Sequence, residues 1–432
     1  MPHNPLLQQQ SLEIRPDPAR VVVRPFRPAT EPRDLNPLDK TRANQIVDRV
    51  LALPAETVHH QLADVLANFE GRHRNLLQTF EARADEMEPA LAEHAAFGRL
   101  QRQLVGAYFL NEYAFEAAAL FNPSIVPHPD QSVVPADVCR CVLSLRAVGE
   151  GHVSSLTFRT CTLDVDGTVT VDPAAKLAAV AHVVERRSGP HGDAVDGAFE
   201  GDQDISERVI APVTDAQANG IEDARFVAFD DEGQRVFHAT YTAYSGRAIR
   251  SELLTTRDFH SFRMAPLHGS ATRNKGMALF PRRIDGRYAM IGRQDNENLY
   301  LITSDDLSVW EGGTPIVTPK FPWEFVQIGN CGSPIEIDEG WLVLTHGVGA
   351  VRRYAIGAVL LDKDDPSRVL GRCREPLVGP GPPGLGGYVP NVVYTCGGTR
   401  HRGRIVLPYA VSDSFTTFAT LDIGALVAEM TG

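Results

Sequence analysis

Apolar residues recur at three- and four-residue spacing in Lys40 to Leu53, Ala55 to Asn68, Arg72 to Glu88 and Ala95 to Leu120. Few glycines interrupt these stretches, so the spacing predicts three or four helices whose Leu and Phe stripe is a packing surface. After Asn122 the period changes to two. Val138 to Val148, His152 to Asp164 and Thr168 to Val171 read as strands, with a hairpin turn at Asp166-Gly167.

The remainder repeats itself. Arg225-Phe226-Val227, Met277 to Phe280, Ser333-Pro334-Ile335 and Pro390 to Val393 are apolar strand starts at intervals of roughly 50 to 57 residues, the scale of a propeller blade. Second strands follow at Val236 to Tyr244, Tyr288 to Arg293, Trp341 to His346 and Arg404 to Tyr409. Third strands follow at Ile249 to Thr255, Leu299 to Ser304, Tyr354 to Leu361 and Thr416 to Leu421. With the strands between Val138 and Val171 as a further blade, the pattern predicts an all-β, five-bladed β-propeller with an N-terminal α-helical extension. The expected domains are an extended arm at 1–38, rich in Pro and charge, a helical extension at 39–136, and a catalytic propeller at 137–432.

Composition narrows the chemistry. Hydrophobic content of 43% and charged content of 22% over 432 residues are those of a soluble globular protein. The net charge of -12 argues against a nucleic-acid partner, because such affinity comes from clustered Lys and Arg. No apolar run has the length of a membrane span and the N-terminus does not read as a signal peptide, so no membrane partner and a cytoplasmic location are expected. The six cysteines lack close CxxC pairs and read as buried, reduced thiols; no metal spacing or dinucleotide fingerprint occurs.

The stretch Asn219 to Phe226 concentrates the chemistry. A turn pair, Asn219-Gly220, delivers Glu222, Asp223 and Arg225 to the start of an apolar strand. Strand alternation sends Asp223 and Glu222 to opposite faces, so one carboxylate of the pair should face a given pocket. In a propeller the strand entrances surround a central funnel. The equivalent places in later blades carry Arg273, Asn274 and Lys275, then Asn330 and Glu336, then Asn391. Tyr244, Arg293, His346 and Asp413 lie at or beyond the ends of second strands.

Gly220-Ile-Glu-Asp-Ala-Arg225, Asn274 to Pro281, Ser304-Asp-Asp306 before Trp310, Gly332 to Ile335 with Gly340 to Val348, and Val389 to Tyr394 together resemble glycoside hydrolase family 130. The resemblance covers roughly residues 138 to 425. It implies a five-bladed propeller acting on β-mannosides with inversion, by phosphorolysis or by hydrolysis, with no cofactor. Asp223 matches the family's general acid, in some members acting through a sugar hydroxyl; Ala224 replaces the motif's proline. Asn391 and Asp413 match positions that bind terminal mannosyl hydroxyls, and Arg225, Tyr244, Asn274 and Asn330 are further expected substrate contacts. Arg273, Lys275, Arg293, His346 and Tyr354 are plausible counterparts of the phosphate cradle.

Two departures favour water as the nucleophile. Gln327 stands where many phosphorylases carry Lys, and Glu336 where they carry Lys, which weakens attraction for a phosphate dianion. An inverting hydrolase needs an ionised base opposite the acid, and Glu297 or Glu336 would supply it. Asp223 would keep its proton through burial, and the base would stay ionised near Arg293 or Lys275. The expected activity is therefore an inverting exo-β-mannosidase on β-1,2-linked mannosides. The alternatives are a β-1,2-mannoside phosphorylase using inorganic phosphate as co-substrate, and a non-catalytic carbohydrate-binding propeller. The expected partners are a β-mannoside oligosaccharide and further copies of the chain, joined through the N-terminal helices.

Overall fold

The computed structural model describes residues 4–29, 41–87, 98–381 and 387–432. The chain divides into two units, one of residues 1–18, 115–175 and 180–432, the other of residues 19–114 and 176–179.

The smaller unit carries the helices Arg42–Leu51, Ala55–Phe69, Leu76–Met87 and Arg99–Tyr108. Thr41 caps the first, its hydroxyl accepting from the Asn44 amide at 3.2 Å. Val47, Val50, Val58, Leu104 and Phe109 form its core. Lys40, Glu88 and residues 95–97, expected at helix ends, and residues 30–38 of the expected arm lie outside the described residues. The last helix stops well short of Leu120. Leu110–Tyr113 instead pairs antiparallel with Val22–Pro25, and Ala119–Pro127 is a strand of the larger unit. The β structure thus begins ahead of residue 137, because Ala119–Pro127 pairs with Cys139–Val148.

The larger unit is mostly β, and five antiparallel meanders can be followed among the described residues, the first two joined in one sheet by a parallel contact between Ser154 and Gly220. The first runs Ala119–Pro127, Cys139–Val148, Ser154–Leu163 and Val169–Val171. The second runs Gly220–Asp231, Gln234–Tyr244, Ile249–Thr256 and Ser261–Pro266. Ala278–Leu279, Tyr288–Gly292, Leu299–Ser304 and Thr314–Val317 form the third. In the fourth, Gly340–Val348 is flanked by Gln327–Asn330 and Ile335–Ile337 on one side and by Tyr354–Leu361, then Val369–Arg372, on the other.

The fifth meander joins distant parts of the chain. Val393–Tyr394 and Thr399–His401 pair with Arg404–Val411, which pairs with Phe415–Asp422, and the outer place is taken by Leu7–Ile14. The N-terminal arm is ordered there because its backbone donors and acceptors complete a sheet edge.

Two further elements belong to this unit. His182–Gly189 is exposed throughout and holds Glu185, Arg186 and Arg187, yet it pairs with Gly192–Ala198, which extends the second meander through Ser261–Pro266. Ile423–Thr431 is a short C-terminal helix capped by Asp422, whose carboxylate accepts from the Ala425 amide at 2.8 Å.

Candidate active site

The strand Gly220–Asp231 breaks its ladder between Glu222 and Arg225, a bulge at which Asp223 takes a positive φ of 54°. Beyond the bulge the Phe226 amide donates to the Ser124 hydroxyl at 3.0 Å. The bulge overturns the expected alternation. One guanidinium, Arg146, donates to Glu222 Oε1 at 2.7 Å and to Asp223 Oδ1 at 3.3 Å, so both carboxylates meet the same cation.

Asp223 is buried, and Asn122 Nδ2 donates to its Oδ1 at 2.6 Å. Arg225 Nη1 donates to the Asp223 carbonyl at 2.8 Å and Nη2 to the Tyr394 hydroxyl at 2.9 Å. Lys275 Nζ stands 3.8 Å from Glu222 Oε2. Burial pushes the Asp223 carboxyl up, but Arg146, Lys275 and Arg225 outweigh it and hold the group well below the usual carboxylate range. The expectation that burial keeps Asp223 protonated is therefore corrected: without substrate it is ionised. Asp413, itself in the left-handed region, is pushed the other way, to about 6, by burial and then by the charge of Asp223.

A second group of polar side chains continues the site. Arg293 is buried, and its Nη1 lies 3.1 Å from His346 Nε2. Burial, then Arg293 and Arg225, push the His346 imidazole well below its usual value, so it is neutral. The ring stacks on Tyr354, with centroids 5.9 Å apart and planes at 15°. Asn274 Nδ2 donates to the Arg293 carbonyl at 3.2 Å, and Asn274 Oδ1 accepts from the Lys275 amide at 2.8 Å. Asn330 is 1% exposed, yet neither atom of its amide has a protein partner; Arg225 Nε, Arg293 Nε and Asn122 Oδ1 are also buried without one. Such concentration of unpaired polar atoms is costly unless a polar ligand completes it.

Other expected residues lie elsewhere. Glu336 accepts from Arg282 Nη2 and Nε at 2.9 and 3.1 Å, with Lys363 Nζ at 3.6 Å. It pairs with Trp341, five residues from His346 along one strand, or roughly 16 Å at ~3.3 Å per residue. Glu336 is therefore a peripheral ion-pair residue, and its expected place as base beside Arg293 or Lys275 is corrected. Glu297 is exposed and makes no ion pair with either cation among the described residues; its carbonyl accepts from the Ile328 amide. Arg273 and Asn391 are exposed, and the Tyr244 hydroxyl turns to the Gly246 carbonyl at 3.4 Å. Arg146 and Asn122 were absent from the sequence expectations. Arg146 was detectable as the lone long cation inside the apolar run Val142 to Val148, where an unpaired charge would be unfavourable.

All six cysteines are free, five of them buried, and no group of ligating side chains suited to a metal occurs among the described residues. Cys331 and Cys396 are buried thiols; burial pushes Cys331 up to about 12. The chemistry available is thus that of carboxylates, guanidiniums, one ammonium and a neutral imidazole.

Residues 192–431 match the sequence model of glycoside hydrolase family 130, described as beta-1,4-mannooligosaccharide phosphorylase. The 1,2-beta-oligomannan phosphorylase of Thermoanaerobacter sp. (strain X514) is 31% identical over 227 residues, 51% of this chain and 74% of that protein. The beta-1,2-mannobiose phosphorylase of Listeria innocua is 29% identical over 229 residues, 51% of this chain and 62% of that protein. Among solved structures, the Listeria innocua beta-1,2-mannobiose phosphorylase in complex with beta-1,2-mannobiose superposes with a TM-score of 0.50 at 21% identity, over 72% of this chain and 92% of that one. A glycosyl hydrolase from Bacteroides ovatus superposes with a TM-score of 0.52 at 21% identity, over 72% and 86%. The matched region contains the Asp223 bulge, the Arg293–His346 pair and Asp413, and the chain belongs to glycoside hydrolase family 130.

Proposed function

We propose that this protein is an inverting β-1,2-mannoside phosphorylase, built as a five-bladed propeller, that releases mannose 1-phosphate. The observation that carries this reading is the charge balance around Asp223. Arg146, Arg225, Lys275 and Arg293 converge there, whereas both glutamates that would activate water lie outside the cluster. A cationic, partly unsatisfied pocket fits an incoming dianion. The names of the two relatives support the same choice over hydrolysis. Arg225 and Arg293 supply charge where Gln327 does not.

In this reading a phosphate oxygen attacks the anomeric carbon from the face opposite the leaving group. The glycosidic C–O bond breaks and its electron pair stays on the leaving oxygen. Asp223, having taken up one proton from solvent as phosphate and mannoside bind, delivers it to that oxygen directly or through a sugar hydroxyl and is left ionised again. The ionised state of Asp223 in the free site is consistent with this order. A bound dianion offsets the cations that depress the carboxyl, and the sugar excludes water, so both changes raise its proton affinity. Phosphate and proton donor are thereby coupled. Neutral His346 accepts from the Arg293 guanidinium through Nε2 and so orients that cation without adding charge of its own.

The test is incubation with β-1,2-mannobiose with and without inorganic phosphate, followed by product identification. Mannose 1-phosphate formed only with phosphate is expected. Free mannose formed at the same rate in both would overturn the proposal.

A further inference from the structure

A second cavity opens beside the candidate site, about 450 Å³ in volume and within the range of small-ligand pockets. It lies one strand from the catalytic bulge: Ala243, in its wall, is the register partner of Ile221, and Arg273, also in its wall, precedes Asn274 and Lys275. Ser251 ties the two regions together, its hydroxyl donating to the Asn274 carbonyl at 2.7 Å.

The charge of the lining is one-sided. Its titratable side chains are His191, Arg250, His268 and Arg273, all basic. Of the nearest carboxylates, Glu252 neutralises Arg250 itself, whereas Glu311 and Asp306 accept from backbone amides and leave Arg273 and the two imidazoles as the cationic groups. Glu252 accepts from Arg250 Nε at 2.9 Å, from the Tyr241 hydroxyl at 2.5 Å and from Gln217 at 2.8 Å. Glu311 accepts from the Ser270 amide at 2.8 Å, and Asp306 from the Ser308 amide at 2.8 Å.

The geometry of the imidazoles adds to this. His191 sits in the turn of the hairpin His182–Gly189 and Gly192–Ala198, where Arg250 Nη1 donates to its carbonyl at 3.0 Å. Its ring lies 4.3 Å from that of His268, with planes at 39°. Burial, His191 and Arg250 depress the His268 imidazole, and Asp306 raises it. An anion bound beside this ring pair would favour protonation of His268, which adds attraction as it binds.

We propose that this cavity binds a compact anionic substituent, a phosphate monoester or a carboxylate, carried by the sugar on the leaving-group side of the mannoside. The preferred acceptor in the reverse direction is then an anionic hexose. The assignment of the leaving-group side rests on the phosphorylase reading; the anion site itself does not.

The test is calorimetric titration of the full chain, free of inorganic phosphate, with mannose, mannose 6-phosphate and glucuronate. At least one anionic sugar should bind roughly tenfold tighter than mannose, about the contribution of one charge-assisted hydrogen bond. Tighter binding of mannose 6-phosphate alone assigns a phosphate ester, and of glucuronate alone a carboxylate. Arg273→Gln and His268→Gln should each remove the preference. Equal affinity for all three sugars would overturn the proposal, as would a preference lost in Arg293→Gln but kept in Arg273→Gln, which would locate the anion at the catalytic cations. Binding is read without turnover, so a failed phosphorolysis assay leaves this result interpretable.

Discussion

Two clusters of carboxylates and cations in this protein are built from the same residue types and differ in burial. Glu336 lies between Arg282 and Lys363 with side chains 34%, 40% and 42% exposed, whereas Asp223 and Glu222 share Arg146 with side chains 9%, 12% and 18% exposed. At the first site water screens every charge, and the Arg282 hydrogen bonds hold Glu336 modestly below its usual range. At the second, desolvation and attraction are both large and opposed, so the protonation of Asp223 depends on what else enters the pocket. The residue types around the two are alike; burial separates a solvent-screened ion pair from a carboxyl on which desolvation and neighbouring cations pull in opposite directions.

The most severe way to break this contrast is Asp223→Asn, which should lower kcat roughly a thousandfold, the scale of a lost general acid, with the fold retained by circular dichroism. If turnover survived, the proton donor would be another group. Arg146→Met comes next. It leaves two buried carboxylates without their shared cation and should destabilise the protein by about 3–5 kcal/mol in denaturant titration. Arg293→Gln should raise KM for phosphate more than KM for the mannoside, measured by initial rates with each reactant varied in turn.

Asp413 sharpens the comparison through pH. Its folded value, about 6, lies above its unfolded one, so the folded state holds the proton more tightly. Its contribution to stability is full below about 4 and is lost as pH rises to about 6. Asp413→Asn should flatten that part of the Tm against pH curve. Asp223 is depressed and acts in the opposite sense, losing its contribution as pH falls below the ordinary carboxylate range. The smallest effect is expected for Glu336→Gln: stability within about 1 kcal/mol and unchanged product formation, because the ion pair is half-exposed.

The strands were legible in the sequence as short apolar runs bounded by turn residues, several of them buried on both faces. Gln234–Tyr244, Leu299–Ser304 and Tyr354–Leu361 fall where such runs predict them. His182–Gly189 was not, because an edge strand exposed on both faces has no alternation to read. The candidate site was partly legible. Asp223, Arg225, Lys275, Arg293 and His346 come together as polar residues at strand starts or ends would. Glu336 misled because a hairpin positions it by register, and register depends on pairing that the local sequence does not reveal. The bulge at Asp223 was equally hidden, since no glycine marks it.

The pairing of Leu7–Ile14 with Phe415–Asp422 has a consequence for biosynthesis. Leu7–Ile14 is made long before its partner and must wait, unpaired, until Phe415–Asp422 has left the ribosome. Until then the fifth meander lacks its outer strand, and Leu7–Ile14 remains a free edge for any other chain to claim. The final step in the assembly of this unit therefore waits on the synthesis of Phe415–Asp422, and that interval is when chaperone binding or mispairing would act on it.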